Sequence, residues 1–329
     1  MGRGRRARVR RAAVTALVGA GTAVSLMAGC AGGEGPPDDD GRAPEPSPRP
    51  SATRSAPPVG PVLTVKIDNT RPARPHTGLG GADIVYVEQV EGGLSRMLAV
   101  YASSLPKAVG PVRSAREADL ELLRQFDHPT LAFSGAQTRL LPLIDRSPLR
   151  AEPPSRSPGA YFRGGGRAAP HNLYLRPHRL MPAAPGKAAL TPAGFTFGAA
   201  PEGGRTETTR TVRYPAARFT FTWDAHRDRY RVALDGTAAT ATDGQPPAPA
   251  TVVVQYVRTR PSGYYDSRGS NTPHTETVGS GTAMVLRDGR AYDALWKRPE
   301  PGDGTRFTTP DGAPLNFAEG QVWVLLATA

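Results

Sequence analysis

Ten polar side chains stand at the ends of apolar stretches or in the turns between them, where chemistry is usually done: Asp68, Asn69, Arg74, Glu91, Arg96, Arg113, Ser114, Arg116, His171 and Asn172. Ser114-Ala115-Arg116-Glu117 has the Ser-x-x-Glu spacing of a capping box, which places Ser114 at a helix N-cap and Glu117 at N3. Arg113 and Arg116 then sit at the positive end of the helix dipole, where a cation is unfavourable unless an anion accompanies it. Free backbone N–H groups and two guanidinium groups suit an external phosphate, sulfate or carboxylate. An internal carboxylate such as Asp68, Glu88 or Glu91 would serve equally well, and the sequence leaves both partners open.

The same carboxylates suggest a second chemistry. Two carboxylates drawn from Asp68, Asp83, Glu88 and Glu91 and held about 5 to 10 Å apart would do acid/base work on a glycan, with Asp68, Glu88 and Glu91 as the candidate catalytic groups. Metal chemistry is not expected, because His76, His128, His171, His178, His226 and His274 are scattered singly, without ligand spacing. No cofactor is expected either. Gly164-Gly165-Gly166 lacks both the Gly-Lys-Ser/Thr ending and the dinucleotide pattern, and Phe133-Ser134-Gly135 lacks the frame of a nucleophile elbow.

The elements that must position these groups are legible as short runs. Val62 to Ile67 is a β-branched strand that delivers Asp68 at its end, and Ile84 to Val90 and Leu94 to Tyr101 are two more. Taking Gly92-Gly93 as a two-residue hairpin loop sets Glu91 opposite Leu94, Gln89 opposite Arg96 and Glu88 opposite Met97. Glu91, Gln89 and Arg96 then share one face, and Glu88 lies on the other among Ile84, Tyr86, Val90, Met97 and Tyr101. A carboxylate there must be paired or protonated, and a buried salt bridge is the simpler answer. Leu122, Leu123 and Phe126 recur at helical spacing, Pro129 ends that helix, and Thr130 to Ser134 follows as a strand. Arg146 to Pro170 is rich in Pro, Arg, Ser and Gly and reads as a long surface loop closing over something. Beyond residue 210 short strands alternate with Asp-Gly turns, and Trp223, Trp296 and Trp323 are expected to be core residues rather than sugar platforms.

Several of these blocks resemble the YerB-like family of Gram-positive lipoproteins. The resemblance is carried by Ile67-Asp68-Asn69, Ala73-Arg74-Pro75, Ala82-Asp83-Ile84-Val85-Tyr86, Val90-Glu91-Gly92-Gly93, Arg96 and Pro170-His171-Asn172-Leu173-Tyr174. Its most specific part is Gly110-Pro111-Val112-Arg113-Ser114-Ala115-Arg116, and weaker matches are Trp296-Lys297 and Gly320-Gln321-Val322-Trp323. It implies an α/β (α+β) N-terminal domain with a mixed sheet and a smaller β-rich C-terminal domain, and it implies no reaction.

Residues before 61 concern address rather than chemistry. Arg3, Arg5, Arg6, Arg8, Arg10 and Arg11 precede an apolar run from Ala12 to Ala28, the pattern of a signal peptide, and Leu26-Met27-Ala28-Gly29-Cys30 resembles a lipobox. Residues 1–29 are thus read as a lipoprotein signal peptide and Cys30 as the lipidated residue. The chain has one cysteine, so disulfides play no part. Residues 30–60 read as a flexible linker poor in large apolar side chains, 61–205 as the α/β domain and 206–329 as the β-rich domain. The net charge of +12 includes the six leader arginines, leaving the mature chain near +6. No Lys/Arg stripe with interleaved aromatics remains, which argues against nucleic acid as a partner.

The expected partners are therefore the plasma membrane, through the lipidated cysteine, and an acidic cell-wall polymer or envelope protein. The leading functional expectation is an extracytoplasmic accessory factor that binds an acidic ligand or a partner protein. The alternatives are a scaffold whose polar cluster is an internal ion-pair network and a carboxylate-dependent glycan hydrolase. Cys30→Ala is expected to release the protein from the membrane fraction without unfolding it, and fatty-acid labelling of cells checks this; wild-type protein that takes up no label overturns the lipid anchor.

Overall fold

The computed structural model describes residues 60–266 and 268–329; the expected signal peptide, Cys30 and nearly all of the expected linker lie outside them. The first strands appear where apolar, β-branched runs predict them. They are β1 (Leu63–Asp68), β2 (Ile84–Gln89), β3 (Ser95–Tyr101), β4 (Thr130–Ala132) and β5 (Arg150–Glu152), with helices α1 (Glu117–Leu123) and α2 (Leu141–Arg146) between β3 and β5. A small hairpin of β6 (Tyr161–Arg163) and β7 (Leu173–Leu175) follows.

The second half contributes β8 (Arg205–Thr206), then a four-stranded antiparallel sheet of β9 (Thr209–Tyr214), β10 (Ala217–Asp224), β11 (Arg229–Leu234) and β12 (Thr237–Ala238). After β13 (Thr251–Val257) comes a hairpin of β14 (Thr259–Tyr265) and β15 (Asn271–Thr275). The chain ends through β16 (Gly279–Arg287), β17 (Arg290–Arg298), β18 (Arg306–Thr308) and β19 (Val322–Thr328). Asp235-Gly236 and Asp288-Gly289 turn at positive φ, as their sequence promised.

One large mixed sheet runs β18-β17-β16-β13-β19-β2-β3-β1-β4-β5, so strands from both halves of the chain hydrogen-bond in a single array. The join is the parallel pairing of β19 with β2, from Val322 beside Ile84 to Leu325 beside Val87. The anticipated mixed sheet is present, but the α/β character is weak. The α-helices among the described residues have seven and six residues, too short to cover the sheet as a helical layer.

Alternation along the strands gives each face its own core. Leu63, Val65, Ile67, Val85 and Val87 meet Phe219, Phe221 and Trp323 beneath the four-stranded sheet. Ile84, Tyr86, Leu98 and Val100 lie under Leu122 and Leu123 of α1 and Ile144 of α2. Each large apolar side chain so buried contributes about 1.5–3 kcal/mol. Trp323 and Trp296 are buried and Trp223 packs at the edge of the core, so the tryptophans are structural, as expected.

The α1-facing side of β1 is different, reading Thr64, Lys66, Asp68 and buried throughout. Lys66 has no exposure; its Nζ donates to Asp119 Oδ1 of α1 at 2.7 Å and also to Glu88 of β2. The other Asp119 oxygen accepts the Arg116 backbone N–H at 2.7 Å, so one carboxylate ties the start of α1 to the sheet. Lys66→Met is expected to strand two buried carboxylates and lower the unfolding free energy by about 3–5 kcal/mol. Adding Glu88→Gln should restore part of the loss in a urea titration; an unchanged midpoint for Lys66→Met alone would show that the network does not hold the helix down.

Candidate functional site

The site grows from the β2–β3 turn. The loop has three residues, Glu91-Gly92-Gly93, closed by the Val90 N–H donating to Leu94 O at 2.8 Å. Gly92 and Gly93 both take positive φ, and a Cβ on Gly93 would lie 2.6 Å from Pro215 of the β9–β10 turn. This extra loop residue corrects the expected register by one. Glu88 pairs with Arg96, Gln89 with Ser95 and Val87 with Met97. Arg96 therefore shares the face of Glu88 instead of opposing it, and Met97 and Tyr101 move to the opposite core. Because Asp68 also pairs with Arg96, the row Asp68–Arg96–Glu88 crosses three strands on one face.

An open cleft of about 780 Å³ lies at the end of this row. Its walls are the β2–β3 turn, the segment leading into α1, the loop after β4, His171, and the tip of the β14–β15 hairpin. Asp68 is 1 % exposed and occupied from several sides: its Oδ1 accepts the Thr70 N–H at 3.1 Å, its Oδ2 lies 2.8 Å from His171 Nδ1, and Arg113 Nε is 3.3 Å away. Burial pushes the Asp68 carboxyl up, but the Thr70 N–H, His171 and Arg113 together outweigh it and hold the group below its ordinary range. Glu91 is ion-paired with Arg116, whose Nη2 donates to Oε2 at 2.8 Å while Nε lies 2.6 Å from Oε1, and it also accepts from Thr272 of β15. Burial raises Glu91 as well, and again the arginine wins, so the net direction is down. Arg96 donates to Ser114 O at 2.8 Å, and burial followed by the neighbouring Arg116 charge draws it down to about 10.

The helix that was to begin at Ser114 begins at Glu117. Its N-cap is Arg116, and Asp119 rather than Glu117 is the N3 acid, because Asp119 alone reaches both the cap N–H and Lys66. The dipole's demand for an anion is thus met inside the protein, and Arg113 and Arg116 have internal carboxylate partners. Both side chains still line the cleft, 24 % and 11 % exposed respectively.

Seven predicted residues converge here: Asp68, Glu91, Arg96, Arg113, Ser114, Arg116 and His171. Asn69 and Arg74 lie in a neighbouring cleft, where Arg74 bonds Asn69 Oδ1 at 3.1 Å and pairs with Asp235 at 2.8 Å. Asn172 does not join them; it accepts from Arg163 and donates to Arg167 O, bracing its own loop. Asp83 caps the Ala102 and Ser103 N–H groups, and Glu88 is paired to Lys66 beneath the cleft floor, with burial first and Asp119 next holding its carboxyl up against Lys66. The segment from Arg146 to Pro170 is also corrected. It carries β5 and β6 rather than a bare loop, and just after β6 Arg167 donates to Ala73 O and Pro75 O.

Sequence reasoning missed Arg139, Tyr265 and Arg268, all cleft-lining and exposed, and the whole β14–β15 hairpin, whose Pro261 and Pro273 argue against strands. Among the described residues no group of His, Cys, Asp and Glu gathers in a metal-ligating cluster.

This fold and cleft define a two-part extended-sheet protein, and the chain belongs to the family described as protein of unknown function DUF3048. Residues 48–190 match its N-terminal domain and 210–324 its C-terminal domain. A relative named "Putative lipoprotein YerB", from Bacillus subtilis (strain 168), is 24 % identical over 277 residues, 80 % of each chain. The crystal structure of YerB from Bacillus subtilis superposes with a TM-score of 0.67 at 21 % identity, covering 82 % of this chain and 91 % of that one, and so shares the fold.

The hairpin that completes the cleft is fastened to α1 by His274, whose ring nitrogens lie 3.5 Å from Glu117 and 3.7 Å from Glu121. Glu121 also accepts from the Thr277 N–H at 2.8 Å. Glu121 chiefly, against burial and the Arg260 charge, raises His274 above its ordinary 6.5, and the same contacts hold Glu121 down to about 2 despite burial. The raised His274 contributes stability in full below pH 6.5 and loses it as pH climbs through its folded pKa; Glu121 contributes above 4.5 and loses it as pH falls toward 2. The thermal stability of wild type relative to His274→Gln is therefore expected to fall as pH rises from below 6.5 through the folded His274 pKa. Parallel curves for the two proteins would rule out the latch.

Proposed function

We propose that this chain is a lipid-anchored protein on the outer face of the plasma membrane whose cleft binds an anionic ligand of the cell envelope. The observation that carries the reading is the charge balance of the cleft: five arginines, Arg96, Arg113, Arg116, Arg139 and Arg268, against the carboxylates of Asp68, Glu91 and Asp266. Asp68 and Glu91 are consumed by Arg113 and Arg116. Arg139 and Arg268 are exposed and make no ion pair among the described residues, so they are available to a ligand. Guanidinium groups match phosphate and carboxylate oxygens in a planar, two-bonded geometry. The relative named as a lipoprotein supports the anchored address that Cys30 suggests.

The hydrolase reading is disfavoured by the same geometry. A glycosidase pair needs one carboxyl group held up so that it can donate a proton. Asp68 and Glu91 are both held down by their partners, and Glu88, which is held up, is buried and does not line the cleft.

Arg139→Ser with Arg268→Ser is expected to leave the thermal midpoint in place and weaken binding of anionic wall fragments about tenfold or more, since each charged hydrogen bond contributes about 1.5–3 kcal/mol. Calorimetric titration with phosphate-rich and peptidoglycan-derived fragments reads it. Wild-type protein that binds none of them overturns the proposal.

A further inference from the structure

A second cleft, of about 460 Å³, adjoins the first, and the two share Thr70, Leu94 and Ser95 as common walls. Leu94 follows the three-residue turn and is 40 % exposed, so a ligand in one cleft can continue over it into the other. The second cleft is also cationic, lined by Arg71, Arg74, Arg213 and Arg218 against a single carboxylate, Asp235. Asp235 is consumed internally, pairing with Arg74 at 2.8 Å and accepting the Arg218 backbone N–H at 2.8 Å. The guanidinium groups of Arg71, Arg213 and Arg218 are exposed and make no ion pair among the described residues.

We infer that the two clefts form one groove for a linear polyanion, a chain whose phosphate or carboxylate groups recur along a flexible backbone and fall alternately to the Arg139–Arg268 side and the Arg213–Arg218 side. The inference rests on the anionic-ligand reading and names its class. A single small anion satisfies one cleft and leaves the other set of guanidinium groups unmatched, whereas a chain engages both at the entropic cost of one binding event. The concavity of both clefts favours a slender chain over a flat anionic surface, which cannot reach between the walls. Tyr265, 54 % exposed on the wall of the first cleft, and Leu94 at the saddle offer apolar contact to backbone atoms between successive charges. An interrupted row of cations with apolar ground between them is what such a chain presents in mirror image.

Full-length protein in detergent tests this with three probes: pyrophosphate, long-chain polyphosphate and polygalacturonate. Wild type is expected to bind a polymer at least tenfold more tightly than pyrophosphate. Arg213→Ser with Arg218→Ser should weaken the polymer about tenfold or more, with the logarithmic salt slope shallower by about 0.7 for each lost contact. Arg139→Ser with Arg268→Ser should weaken the polymer as well. Preference for polyphosphate or for polygalacturonate identifies phosphate or carboxylate as the repeating charge, and either supports the groove. Polymer affinity that depends on Arg139 and Arg268 but is indifferent to Arg213 and Arg218 overturns the groove while sparing the first cleft. Binding of no probe overturns both, and capture by phosphatidylglycerol vesicles that no polymer displaces replaces the groove with a membrane surface.

Discussion

Lys66 is a fully buried ammonium group, and the first half of the structure is arranged around pairing it. An unpaired buried ion of this kind is costly by several kcal/mol, so its partners are not optional. Glu88 comes from β2, two strands away, and Asp119 comes from α1 on top of the sheet. Satisfying Lys66 therefore fixes the β1–β3–β2 order, the position of α1 and, through Asp119, the residue at which α1 begins. Arg116 becomes the N-cap as a consequence, which aims its guanidinium at Glu91 in the turn. The cleft is built outward from that buried charge.

Two kinds of arginine follow from this construction. Arg96, Arg113 and Arg116 are held by protein partners, and they shape the wall and keep Asp68 and Glu91 ionised. Arg139 and Arg268 stand beyond them with their heads in solvent. The inner set carries little net charge, because Asp68 and Glu91 offset Arg113 and Arg116 and leave only Arg96, which is bonded to a neutral carbonyl. The outer set then supplies the excess. A ligand meeting this arrangement would find donors already held in place beside donors that are exposed and unpaired among the described residues.

How much of this was legible in the sequence depended on whether the deciding contact was local. β-branched runs ending in Asp or Gly placed most strands to within a few residues, and Asp68 did converge on one place with Arg113, Ser114 and Arg116, while Asn69 went to the neighbouring cleft. The register of the β2–β3 hairpin failed because Glu91-Gly92-Gly93 and Gly92-Gly93 are both acceptable loops. Docking of Gly93 under Pro215 and the pull of Glu91 toward Arg116 are long-range terms that local turn preference does not contain. The capping box failed for the same reason. Ser114 and Glu117 had the right spacing, but Asp119 was recruited by Lys66 of β1. Arg139, Tyr265 and Arg268 left no local signal at all, since they belong to segments more than a hundred residues apart.

That last separation is itself informative about what the second half of the chain is for. β19 enters the sheet beside β2, and the β14–β15 hairpin reaches back so that Thr272 donates to Glu91 and His274 lies between Glu117 and Glu121 of α1. The first half alone would present Glu91 and Arg116 on an open sheet edge, with no opposing wall and no Arg268. The hairpin supplies part of the cleft wall and is fastened there largely by polar contacts, the kind of element from which local openings are drawn. A ligand that touches both α1-side and hairpin-side cations binds only the docked arrangement, so its free energy adds to the attachment of the hairpin. Cleft occupancy and the junction between the two halves of the chain are in that sense one equilibrium, with Glu91 bonded to both sides of it.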